Sequence, residues 1–140
     1  MPQKENKLII FTDGGARGNP GPAGIGVVIC DARGKLLKKY HKYLDEKTNN
    51  EAEYEAVIAA LKIASELAAQ ELVFNLDSEL VVRQLNNIYR VKNHRMQELM
   101  IRLRHLESKF KKIIYRHISR EQNQLADELV NEAIDRRKTA

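Results

Sequence analysis

Apolar residues in the first third of the chain fall in short, β-branched runs that predict strands. Residues 7–12 (KLIIFT) are too continuously apolar for a half-exposed strand, so we expect a buried, central strand there. The Gly- and Pro-rich stretch at 14–24 excludes a helix and predicts a loop that leads into a second strand at 24–30. A tight turn at 31–34 and a third strand at 35–44 complete an antiparallel meander.

The spacing of apolar residues then changes to the three- and four-residue intervals of an amphipathic helix. The residues that recur in this way are Tyr54, Val57, Ile58, Leu61, Ala64 and Leu67. This pattern predicts a helix over about 50–69, and Thr48, Asn49 and Asn50 supply cap residues at its start.

Strands and helices alternate in the remainder of the chain. The predicted elements are a buried strand at 71–76, a helix at about 78–86, a helix at about 94–109, a strand at 112–118 and a last helix from Gln122 or Asn123. Helices between the third, fourth and fifth strands favour parallel crossovers, which are right-handed in nearly all known cases. The predicted fold is therefore α/β, with a mixed five-stranded sheet of three antiparallel strands followed by parallel strands, flanked by helices.

Length and composition favour one compact domain over residues 1–140. A hydrophobic content of 43% excludes a disordered chain, and the apolar runs are too short to span a membrane. The first residues, MPQKENK, lack the apolar core of a signal peptide, and Cys30 is the single cysteine. We therefore expect a cytoplasmic protein that carries no disulfide of its own.

The net charge of +5 makes a polyanionic partner plausible. Basic residues concentrate at 38–42, 90–95, 109–112 and 136–138. Each cluster taken alone is equally typical of a solvated surface, so charge by itself does not identify the partner.

Four acidic residues, Asp13, Glu53, Asp77 and Asp127, stand where their side chains can face one cleft. The two aspartates at 13 and 77 end apolar runs, whereas the other two acids lie near predicted helix starts. Clustered carboxylates repel one another, so such a group needs a cation or a proton to persist. Hard oxygen donors suit Mg²⁺ or Mn²⁺ better than zinc. Taken singly, each acid has an alternative role as a turn, cap or helix-dipole residue.

Five segments resemble the motifs of the type 1 ribonucleases H in order and spacing, and together they cover essentially the whole chain. They are TDGGARGNPGPAGIG (12–26), TNNEAEYEA (48–56), LDSELVVRQL (76–85), VKN (91–93) and REQNQLADEL (120–129). The resemblance implies a ribonuclease H-like fold in which Asp13, Glu53, Asp77 and Asp127 are catalytic and bind two Mg²⁺ ions, with Mn²⁺ as an alternative. Of the three glutamates Glu51, Glu53 and Glu55, only Glu53 matches the position of the acid in that family.

The family resemblance also implies the reaction and the substrate contacts. Its members cut the RNA strand of RNA/DNA hybrids and leave 5′-phosphate and 3′-hydroxyl ends. The residues it assigns to substrate binding are Gly14, Gly15, Ala16 and Asn19 on the RNA side, Asn49 and Asn50 at base edges, and Thr48 and Asn93 at a DNA phosphate. A monomer without an obligate protein partner is expected.

Two departures separate this chain from many bacterial members of that family. Only residues 86–90 replace their long basic protrusion, which resembles archaeal and some bacterial short forms. In place of a flexible histidine before the fourth acid, Arg120 is the favoured catalytic residue, with His117 as the alternative. Two competing functions remain at this point: a non-catalytic module that binds nucleic-acid duplexes, and another nuclease of the same superfamily.

Overall fold

The computed structural model describes residues 6–137 and contains a five-stranded sheet. The strands are β1 (Lys7–Ala16), β2 (Gly21–Asp31), β3 (Leu36–Lys47), β4 (Glu71–Leu76) and β5 (Lys112–His117). Their spatial order is β3-β2-β1-β4-β5, with β1, β2 and β3 antiparallel and with β4 and β5 parallel to β1. The predicted mixed sheet is confirmed.

Helices pack on both faces of the sheet. They are α1 (Asn49–Glu66), α2 (Glu79–Leu85), α3 (His94–Glu107) and α4 (Gln124–Arg136), with a 3-10 helix at Arg120–Asn123. The larger core includes Val27 and Ile29 of β2 together with residues of α1 and α3, whereas Val28 and Cys30 of the same strand pack with α4. Because alternate strand residues point to opposite faces, α1 and α4 lie on opposite sides of the sheet. Within residues 6–137 no helix is long and apolar enough to cross a membrane.

The predicted loop at 14–24 is wrong, because most of that stretch is paired strand. β1 continues to Ala16, β2 begins at Gly21, and the two strands pair from Gly14↔Ile25 to Ala16↔Ala23. The glycine content misled the prediction, since here it serves close packing: a Cβ on Gly14 would lie 2.2 Å from the backbone of Ala52 in α1. The true turn is short and includes Gly18, whose φ of +109° favours glycine.

The other predicted boundaries are shifted by a few residues. α1 ends at Glu66 rather than near 69, and Ala68 has a positive φ of 57° just beyond it. β3 runs to Lys47 because a bulge opposite Ala23 and Gly24 absorbs one residue, and the strand thereby leads directly into the cap of α1. Residues 1–5 of the leading MPQKENK segment and Lys138 of the basic tail lie outside the described residues.

Candidate active site

The end of one strand ladder brings Asp13 and Asp77 together. The parallel pairing of β1 with β4 ends at Phe11↔Asn75, and each aspartate lies two residues further along its own chain segment. The sequence suggested that Asp13 ends β1. The strand instead continues past Asp13, because it still pairs with β2 there. What ends is its pairing with β4, so both carboxylates emerge at the same edge.

Glu53 reaches this edge from α1. Its Oε1 accepts a 2.6 Å hydrogen bond from the backbone N–H of Gly14, and its side chain is 5% exposed. The close approach of β1 to α1 at Gly14 makes this bond possible. The second oxygen, Oε2, is buried and has no hydrogen-bond partner among the described residues. A buried acceptor without a partner is costly, which indicates that a ligand completes its contacts.

Asp13, Glu53 and Asp77 can each present an oxygen such that the three oxygens lie within 4.8 Å of one another. Asp127, in the first turn of α4, does not belong to this tight group, but it lines the same cleft of about 390 Å³. The four predicted acids therefore share one cleft, and three of them can place oxygens within 4.8 Å of one another.

The electrostatics of the cleft disfavour an unliganded, fully ionised group. Burial raises the pKa of Asp13 from 3.8 to about 7, and the charges of Asp77 and Asp127 raise it further. Burial, followed by the proximity and charge of Asp13, raises the pKa of Glu53 well above its ordinary value. Repelling carboxylates with an unsatisfied buried oxygen form a donor set that fits a hard divalent cation.

The neighbours of Glu53 have other partners. Glu51 accepts a 2.8 Å bond from the backbone N–H of Thr48 and a 3.3 Å bond from Arg95, so it closes the capping box at the start of α1. Glu55 lines a different groove, beside Arg102. The choice of Glu53 from the three acidic residues agrees with this geometry.

The predicted substrate-binding residues divide between two adjoining clefts. Gly14, Gly15, Ala16, Asn49 and Asn50 line the acid cleft. Asn19, Thr48, Asn49, Asn50 and Asn93 line a second cleft of about 560 Å³. Asn49 and Asn50 belong to both clefts, which makes the two surfaces continuous.

Hydrogen bonds lock the border between these clefts. The backbone N–H of Asn49 donates to Asn19 Oδ1 at 3.0 Å, while the backbone N–H of Ala16 donates to Asn49 Oδ1 at 2.8 Å. The β1–β2 turn is thus tied to the first turn of α1. Both amide oxygens are engaged in this tie, which leaves the NH₂ groups of Asn19 and Asn49 as donors.

Two helix starts converge on the second cleft. Thr48 caps α1, and Asn93 caps α3 by accepting a 3.1 Å bond from the backbone N–H of Met96. Arg95 also lines this cleft, and its side chain is largely exposed. Helix N-termini and an arginine together suit an anionic group such as a phosphate.

Arg120 and His117, the two alternatives before the fourth acid, have different positions. Arg120 opens the 3-10 helix and lines the acid cleft. His117 ends β5 with an exposed side chain and is not among the residues that line this cleft.

Sequence reasoning missed some residues of the acid cleft. Arg17 lines it and donates hydrogen bonds to Asp135 and Asn131 of α4, at 2.5 Å and 3.2 Å. Burial of Asn123 beside Asp77 was also missed, because the sequence marks this residue only as a possible start of the last helix. The one indication of a role for Arg17 in the sequence is its place inside the motif at 12–26, because its hydrogen-bond partners lie more than a hundred positions away along the chain.

Residues 11–133 match a family model described as reverse transcriptase-like. The chain is 40% identical over 130 residues to a bifunctional protein of Mycobacterium tuberculosis, covering 92% of this chain and 36% of that protein. It is 34% identical over 135 residues to ribonuclease HI of Halobacterium salinarum, covering 96% of this chain and 68% of the relative.

Solved structures give the same likeness. LC11-RNase H1, solved in complex with an RNA/DNA hybrid, superposes with a TM-score of 0.89 at 47% identity, covering 93% of this chain and 98% of the other. RNase H1 of Halobacterium salinarum superposes with a TM-score of 0.90 at 34% identity, covering 93% of this chain and 98% of the other.

Proposed function

The chain belongs to the type 1 ribonuclease H family, and we propose from this premise that it hydrolyses the RNA strand of RNA/DNA hybrids as an endonuclease. The proposed products carry 5′-phosphate and 3′-hydroxyl ends. The observation that carries the proposal is the cluster of Asp13, Glu53 and Asp77, of which the first two are buried, with Asp127 in the same cleft. A relative 47% identical to this chain, solved with an RNA/DNA hybrid, supports the substrate.

We propose that Asp13, Glu53, Asp77 and Asp127 hold two Mg²⁺ ions, with Mn²⁺ as an alternative. When bound, such a pair activates a water and stabilises the leaving oxygen of a phosphodiester. The carboxylates provide the negative charge that retains the ions, and burial of Glu53 fixes the direction of its oxygens. Arg120, which lines the cleft, contributes positive charge beside the scissile phosphate.

The two continuous clefts support recognition of a duplex with one RNA strand. The proposed RNA strand lies along Gly14, Gly15 and Ala16, where small residues let backbone groups approach a 2′-hydroxyl. The DNA strand then runs past Thr48 and Asn93, where two helix N-termini favour a phosphate. Asn19, Asn49 and Asn50 lie at or between the two clefts and offer amide donors to sugars and base edges.

The remaining expectations from the sequence stay predictions. They are a single catalytic domain over residues 1–140, a monomer without an obligate protein partner and a cytoplasmic address. The chain spans 36% of the length of its mycobacterial relative, so the activity of a larger protein of that kind is a separate question.

A substrate panel tests the proposed function. The protein is incubated with end-labelled RNA/DNA, RNA/RNA, DNA/DNA and single-stranded RNA, each with Mg²⁺, with Mn²⁺ and with chelator. We expect internal cuts in the RNA strand of the hybrid alone, lost with chelator and lost in Asp13→Asn. Hybrid binding without cleavage in either metal would identify a non-catalytic duplex-binding module. Cleavage of the DNA duplex, or trimming from one end only, would identify another kind of nuclease.

A further inference from the structure

Asn123 links three of the elements that carry the acidic residues. Its Nδ2 donates a 2.9 Å hydrogen bond to the backbone C=O of Thr12 in β1 and a 3.1 Å bond to Oδ2 of Asp77. The residue itself directly precedes α4, which carries Asp127. Its side chain is 1% exposed.

The position of Asn123 in the chain makes these bonds unusual. Asparagine is a favoured helix N-cap, where its side-chain oxygen accepts a backbone N–H of the first turn. At the start of α4 Asn123 occupies the cap position but makes no such bond. The preceding 3-10 helix has its own capping box, formed by Ser119 and Gln122. The side chain of Asn123 is therefore directed to the acid cleft instead of to its own helix.

The orientation of the amide follows from its partners. Both neighbours, the Thr12 carbonyl and the Asp77 carboxylate, only accept hydrogen bonds, so the NH₂ group must face them. This leaves Oδ1 of Asn123 buried and without a hydrogen-bond partner among residues 6–137. The NH₂ group of Asn123 is thus committed to the Thr12 carbonyl and to the Asp77 carboxylate.

We propose that Asn123 is a positioning residue that fixes the Asp77 carboxylate relative to Asp13 and thereby sets the affinity of the acid cleft for divalent cations. One oxygen of Asp77 is held by the amide, and the same amide is bound to the carbonyl of the residue before Asp13. The amide therefore ties the Asp77 carboxylate to the strand that carries Asp13. This inference rests on the proposed metal site, and it concerns metal binding whether or not the protein cuts hybrids.

The test compares Asn123→Ala and Asn123→Leu with a matched control. Asn75 is also a buried asparagine that donates to a β1 carbonyl, that of Ile10 at 3.2 Å, but none of the hydrogen bonds described for it involves an acidic residue. Asn75→Ala therefore removes a comparable buried bond that involves no carboxylate. Asn123→Leu keeps roughly the volume of the side chain, removes its ability to donate and adds no charge.

Calorimetric titration with Mn²⁺ is the primary measurement, made on each variant below its melting temperature. We expect both Asn123 variants to bind Mn²⁺ about ten- to a hundredfold more weakly, which is the usual effect of losing a residue that orients a metal ligand. Asn75→Ala should bind Mn²⁺ within about twofold of the unchanged protein, whatever its loss of thermal stability. In hybrid cleavage, the Mg²⁺ concentration for half-maximal rate should rise in the Asn123 variants while KM for the hybrid stays unchanged.

Unchanged Mn²⁺ affinity in folded Asn123→Leu overturns the proposal, and so does equal weakening in Asn75→Ala. If an Asn123 variant does not fold, the other one decides the question. If the unchanged protein binds Mn²⁺ but does not cut hybrids, the proposed function fails while the titration still tests Asn123. If it binds no Mn²⁺ at all, both proposals fail.

Discussion

The backbone N–H of Gly14 donates a 2.6 Å hydrogen bond to Oε1 of Glu53, and this contact joins β1 to α1 directly beside Asp13. The two elements are in backbone contact at this bond: a Cβ on Gly14 would lie 2.2 Å from the Ala52 backbone. The position of the glutamate relative to the aspartates thus depends on the absence of one side chain.

Gly14→Ala should therefore lower stability and abolish hybrid cleavage together. The added methyl group must push α1 away from β1, and overpacking of this kind typically costs about 1 to 3 kcal/mol or more. The displacement carries Glu53 away from Asp13 and breaks the hydrogen bond to residue 14. Urea denaturation measures the stability loss, and the hybrid assay measures the activity.

Gly15→Ala is the matched control for stability. A Cβ there meets only the Val130 side chain at 3.7 Å, an ordinary van der Waals distance, although Gly15 stands next to Gly14 in the same strand. We expect its free energy of unfolding to change by about 0.5 kcal/mol or less. Equal destabilisation of the two variants would show that strand flexibility, and not contact with α1, explains the glycines.

Removing the charge of Asp13 should stabilise the metal-free protein at neutral and higher pH. The pKa of this carboxyl is about 7 in the folded protein, against 3.8 for an aspartate in the unfolded chain. Between these two pH values the folded state binds more protons than the unfolded state, so stability falls as pH rises through this window. The difference of roughly three between these two pKa values sets an upper limit of about 4 kcal/mol on the loss of stability.

Denaturation of Asp13→Asn in chelator measures this effect. The variant should be more stable than the unchanged protein at pH 8 and similar to it well below pH 3.8, where the carboxyl is protonated in both states. Added Mg²⁺ should stabilise the unchanged protein at pH 8 and have little effect on the variant, because ligands that bind only the folded state raise its stability. A variant that is less stable at pH 8 contradicts the charge repulsion inferred for the cleft.

The sequence predicted those parts of the site that depend on order along the chain. Apolar runs located each strand, and the motif around Glu53 distinguished it from Glu51, whose carboxylate instead closes the capping box with Thr48. Helix and strand periodicity sufficed because the core residues of α1 and β4 follow it closely.

The features that the sequence did not predict depend on contacts between distant segments. The glycines at 14 and 15 read as a loop because nothing local indicates that helices pack over them as they run in a strand. Asn123 is predicted only as a possible start of the last helix, since its bond to Asp77 spans 46 positions. A local sequence pattern reflects the intrinsic preference of one segment, whereas the roles of these residues depend on tertiary contacts.

The cap of α1 should contribute to stability through one oxygen atom. Thr48 Oγ1 accepts a 3.2 Å bond from the backbone N–H of Glu51. Thr48→Ala removes this acceptor and should cost about 1 kcal/mol in the free energy of unfolding, whereas Thr48→Ser retains it and should cost only a few tenths. If serine destabilises as much as alanine, packing of the threonine methyl group and not capping is responsible.

Arg120 and His117 should differ in their effect on turnover. Arg120 lines the cleft that holds the four acids, whereas His117 is exposed at the end of β5 and does not line it. Removing a cation beside the reacting phosphate takes away charge stabilisation that matters most in the transition state, so Arg120→Ala should lower kcat about ten- to a hundredfold and leave KM within a few-fold. His117→Ala should retain near-normal kcat and KM. Steady-state kinetics on one short hybrid decide between the two, because loss of kcat in His117→Ala with none in Arg120→Ala would transfer the role to the histidine.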